Sequence, residues 1–79
     1  MLKNNYFPDD VVRMNILEGM SLHRAWREYK GLTQAQVATM LGISPLAMAK
    51  MERPDANLRI KTLTKLANVL GITVEKLTM

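Results

Sequence analysis

Few side chains in this 79-residue chain could make or break bonds. It has one histidine, His23, and no cysteine. His23 has no second His, Asp or Glu at ligand spacing, so it reads as a surface side chain and not as a metal ligand. It has no paired nucleophile either, and no glycine-rich loop precedes a helix, which argues against catalysis and implies no cofactor. Glu52, between Lys50 and Arg53, reads as a charged helix end. What the chain does carry is localised positive charge. The net charge is +4, yet residues 1–20 sum to −1 and residues 66–79 to zero. The excess falls on Arg24, Arg27, Lys30, Lys50, Arg53, Arg59, Lys61 and Lys65, where a phosphate backbone could be met. A merely solvated basic surface would show the same charges.

The elements that position these residues are legible around Gln34–Arg53. Val37, Leu41, Ile43, Met48 and Met51 are apolar, Ala38 is small where two helices would nearly touch, and Gly42 offers a left-handed backbone between them. Thr33 and Gln36 are spaced as a capping box, with Leu32 and Val37 placed as a hydrophobic staple. Ser44 is placed to cap the second helix, Pro45 occupies its first turn, and Ile43 with Met48 repeats the staple. Two helices joined by a short glycine turn form the pattern of a DNA-binding helix-turn-helix. An ordinary helical hairpin in a bundle is the alternative, disfavoured by the three-residue turn together with Ala38 and Gly42.

The remaining segments read as further short helices, with no sustained strand alternation, repeat or linker. Asn4, Asn5 and Pro8 break residues 1–8. Asp9 or Asp10 starts a helix through about Glu18, which Gly19 ends. Ser21 opens the next, with Leu22, Ala25, Trp26 and Tyr29 on one buried face and Arg24, Arg27, Glu28 and Lys30 outward. A helix from about Ile60 to Leu70 buries Leu63, Leu66, Ala67 and Leu70, and Gly71 stops it. Thr73 is placed to cap a last short helix, with Val74 and Leu77 inward. Residues 1–20 thus form an N-terminal segment with a short helix, and residues 21–79 one domain.

A chain this short buries only about 60% of its unfolded surface, so a dimer or other partner is expected. No apolar run approaches the roughly 20 residues that span a bilayer, and a cytoplasmic protein is the default reading.

Several stretches resemble the Xre family, the five-helix domain of phage repressors and Cro proteins. They are Leu22-His-Arg-Ala-Trp-Arg-Glu-Tyr, Gly31-Leu-Thr-Gln, Gly42-Ile-Ser, Lys50-Met-Glu and Thr62-Leu-Thr-Lys-Leu-Ala-Asn-Val-Leu-Gly-Ile-Thr, within residues 21–79. The resemblance implies an all-α, five- to six-helix, lambda-repressor-like fold and a homodimer on a double-stranded DNA operator. It implies that Gln34, after the cap Thr33, donates to a phosphate, and that Ser44, Pro45, Leu46, Ala47, Ala49 and Lys50 lie in the major groove, with Arg53 and Arg59 in the basic flank. The chain departs from its relatives in lacking Gln, Asn or Arg on that face, where such donors distinguish bases. Ser44 and Lys50 are left as polar readers, and Leu46 and Ala47 could touch only a thymine methyl. Either specificity is modest and affinity comes from phosphates and DNA shape, or base contact has been abandoned for protein binding.

Pro8-Asp-Asp-Val-Val, running into Arg24-Ala-Trp-Arg-Glu, also resembles a branch of antitoxins paired with RelE/ParE-type toxins. Residues 1–20 are slightly negative and carry more apolar side chains than a short cap needs, so Leu2, Tyr6, Phe7, Val12 and Ile16 would either meet such a toxin or only seal the domain's own core. The readings are therefore an autoregulating antitoxin, a phage-type repressor without a toxin, or a protein-interaction module that has lost base-specific binding.

Overall fold

The computed structural model describes residues 7–78, so Leu2 and Tyr6 lie outside the described residues. The described chain is all-helical: α1 (Asp9–Ile16), α2 (Leu22–Tyr29), α3 (Gln34–Leu41), α4 (Pro45–Met51), α5 (Ile60–Leu70) and a closing 3-10 turn, Val74–Leu77. No strand occurs among the described residues. This is the lambda-repressor-like architecture that the sequence predicts.

Local chemistry explains the boundaries. Thr33 and Gln36 form a reciprocal capping box at α3, with Gln36 N–H donating to Thr33 Oγ1 and Thr33 N–H to Gln36 Oε1. Two of the four orphan N–H donors of that end are thereby satisfied. Ser44 Oγ accepts from Ala47 N–H at α4, whose first residue is Pro45. Between the two helices Gly42 holds φ of +73°, a region that costs residues with a Cβ. That reversal lets Ile43 N–H return to Ala38 O and turns the chain into α4.

Two boundaries and one burial expectation depart from the sequence reading. The first helix stops at Ile16, short of Glu18, because the Glu18 and Met20 amides bond back to Arg13 and Met14 and Gly19 turns left-handed. Thr73 makes no side-chain cap, since the segment after it is a four-residue 3-10 turn closed by Lys76 N–H to Thr73 O. Tyr29, expected inside, is exposed. Trp26 takes the core position, and Tyr29 meets its ring edge-on at 5.9 Å.

Every element contributes to one core: Val11 from α1, Ala25 and Trp26 from α2, Val37 and Ala38 from α3, Met48 from α4, Leu66, Ala67 and Leu70 from α5, and Leu77 from the closing turn. Leu63, expected with them, packs half-buried against that core. Fully burying a side chain such as Met48 or Leu66 contributes about 1.5–3 kcal/mol. Trp26 also donates its indole N–H to Lys76 O at 3.2 Å, tying α2 to the closing turn.

Candidate nucleic-acid interface

A helix as short as α4 has little stability of its own, so its orientation depends on what holds it. Met48 anchors its inward face. Its C-terminal end leaves carbonyls without helical partners, and α2 and its N-cap Ser21 supply one donor each. Ser21 Oγ donates to Glu52 O at 3.0 Å, and His23 Nε2 bonds Met51 O. Beyond them, Arg27 donates in two parallel bonds to the Glu52 carboxylate, at 2.6 and 2.9 Å, and a third to Leu32 O. Gln34 Nε2 completes the set on Glu52 Oε1 at 2.8 Å. Among the described residues no buried side-chain polar atom lacks a partner.

This network corrects three expectations. His23 is buried, not a surface side chain, because its ring nitrogen is needed by the end of α4. Arg27 does not face outward and Glu52 is not a solvated helix end. Both are buried, and each satisfies the other's charge. Burial pushes the His23 imidazole below its ordinary value of 6.5, against the opposing pull of the Met51 carbonyl and the Glu52 charge. The neutral ring therefore donates Nε2–H to Met51 O.

Most of the residues expected at DNA are exposed. Thr33, Ser44, Pro45, Leu46, Lys50, Arg53 and Arg59 are exposed, while Gln34, Ala47 and Ala49 are half-buried rather than freely displayed. Leu46 is a large apolar side chain at 66% exposure. Lys50 lies one turn after Leu46 and shares its face. Arg53 makes a loose exposed pair with Asp55 at 3.5 Å. With Arg27 and Glu52 cancelling inside, the +5 of residues 21–65 is carried by exposed or half-buried side chains. Such a surface can hold phosphates through its cations and offer an apolar tip to bases.

Ahead of α1, Phe7 packs on Trp26 at 5.7 Å between ring centroids, while on α1 Val12 and Ile16 are exposed, at 44% and 69%, as is Leu17 just after it at 76%. Among the described residues no helix is long and apolar enough to cross a membrane, and no group of acidic, His or Cys side chains could hold a metal ion.

Ser21, His23, Arg27 and Glu52 were missed as a unit because their partners lie 25 to 31 residues apart, beyond any helical period.

Comparison with known proteins agrees with this geometry. A prophage-derived HTH-type transcriptional regulator of Bacillus subtilis (strain 168), named YonR and uncharacterized, is 41% identical over 49 residues. That alignment covers 62% of this chain but 45% of the relative, so the chain spans less than half of the relative's length. No solved structure gives a significant match. A helix-turn-helix family model matches residues 24–77, from α2 through the closing turn. The chain belongs to the helix-turn-helix family.

Proposed function

We propose that this protein is a transcriptional regulator that binds an operator in double-stranded DNA, with α4 as its recognition helix. The observation that carries this reading is the position of α4. Its inner face and its C-terminal end are held by the core and by α2 and its cap, while Leu46 and Lys50 are exposed, as are Arg53 and Arg59. The relative's name, a transcriptional regulator, supports it. Selecting duplexes from a random library with the 79-residue protein, then measuring anisotropy at two salt concentrations, tests it. A recurrent half-site and an affinity that falls with salt are expected. Retention of no duplex even at low salt overturns the reading.

A second reading adds a toxin as partner and makes the protein an autoregulating antitoxin. The observation favouring it is the exposed Val12, Ile16 and Leu17, flanked by Asp9, Asp10 and Glu18 and so suited to a basic protein. Coexpression with the product of an adjacent RelE/ParE-like gene tests it. Val12→Ser together with Ile16→Ser, both at exposed positions, should abolish neutralisation while leaving the fold and DNA binding intact. Full neutralisation by that double variant would overturn the role of this face.

A further inference from the structure

We infer that Leu46 is a specificity-determining residue that selects a half-site carrying a 5-methyl pyrimidine, thymine in ordinary DNA, at the step it faces. The inference deepens the DNA-binding reading and rests on it. Its warrant is the exposed apolar side chain at the tip of α4, beside polar side chains that the fold already engages. Ser44 Oγ accepts from Ala47 N–H, one of its two acceptor positions. Gln34 is half-buried and has one amide hydrogen committed to Glu52 Oε1, which ties its carboxamide to the scaffold. Gln36 Oε1 and Thr33 Oγ1 accept from each other's backbone N–H in the capping box.

At the tip stands the side chain of Leu46, which is 66% exposed and takes no part in the core. An isobutyl group has no hydrogen bond to offer a base edge. The one apolar feature that a base pair presents in the major groove is the C5-methyl of thymine. Against cytosine, or against the polar edges of a purine, Leu46 would strip water from hydrogen-bonding groups and return nothing. Lys50, one turn along the same face, is the polar member of the pair, so the methyl contact supplies discrimination that Lys50 does not duplicate.

The test uses the 79-residue protein and the duplex it selects from a random library. Each thymine of the half-site is replaced in turn by deoxyuridine, which deletes the methyl and leaves every hydrogen-bonding group in place. At one position the affinity should fall about fourfold, corresponding to about 0.8 kcal/mol for a buried methyl-sized group. Placing 5-bromodeoxyuridine at that position, with bromine filling the methyl's volume, should restore it. In the Leu46→Ala protein the thymine and deoxyuridine duplexes should bind alike, closing a double-mutant cycle on one contact. Equal affinity for every deoxyuridine duplex overturns the inference while leaving DNA binding intact. So does a fourfold penalty that survives Leu46→Ala. Failure to enrich any duplex overturns the DNA-binding reading, and this inference with it.

Discussion

His23 enters the fold in its neutral form because the cost of burying an imidazolium outweighs the attraction of Glu52. Its folded value lies below 6.5, so between the two values the unfolded chain binds the extra proton. Stability from this group is complete above about pH 6.5 and is lost as the pH falls through the folded value. The melting temperature should therefore drop on acidification from pH ~7.5 to pH ~5.5. In His23→Gln, whose amide can still donate to Met51 O, that drop should be smaller; an equal drop would place the acid sensitivity elsewhere. Lys50 makes a second residue-scale case. If it reads a guanine, Lys50→Ala should lose about 1–3 kcal/mol of discrimination at one base position. Equal loss on operator and random DNA, measured by anisotropy, would make Lys50 a phosphate contact. Gln34→Ala, by contrast, should weaken binding to all sequences about equally, since phosphates carry no sequence information.

Between elements, the tightest constraint is where α3 meets α4. Ala38 is fully enclosed there, and Ala38→Leu should overpack the contact by about 1–3 kcal/mol. For a domain of this size that lowers the melting temperature by at least about 4 °C. An unchanged melting curve would mean that the two helices do not meet at Ala38. The Arg27–Glu52 pair joins α2 to the end of α4. Arg27→Met alone leaves a buried carboxylate without its cation and should cost about 3–5 kcal/mol, while Arg27→Met with Glu52→Met should cost less than the single change. These two kinds of contact also divide what the sequence discloses from what it hides. Thr33 with Gln36, Ser44 with Pro45, and Gly42 act within four residues, so the helix-turn-helix and its caps are readable by spacing alone. Arg27 sits on a helix among outward charges, and only the arrival of Glu52 from 25 residues away makes it an interior residue. His23 is the same case at 28 residues. Thr73 misleads in the opposite way, being a good capping residue before a segment too short to need one. The apolar recognition face is visible as a departure from the family pattern, but which of its side chains stand free depends on tertiary cover: Ala47 and Ala49 are half-buried and Leu46 is not.

At the scale of the molecule, the dimensions are 39 by 23 by 23 Å. Two copies side by side can therefore place their α4 helices about 34 Å apart, one turn of duplex, as a palindromic operator requires. The expectation is one dimer per operator, read by light scattering of the complex; a strictly monomeric mass both free and on DNA removes it. The log–log salt slope of operator affinity should approach −0.9 per phosphate neutralised.

The way α4 is held has a consequence for how such a protein changes over generations. Its anchors are Met48 inside, Ser44 before it, and the Ser21, His23 and Arg27 bonds after it. None of them involves the side chain of Leu46 or Lys50. Joint replacement at these two positions should shift stability by no more than about 0.5 kcal/mol each, as at other exposed sites. Mutation can thus exchange the message that the helix reads without disturbing its mount, and lineages of this domain can acquire new operators through stable intermediates.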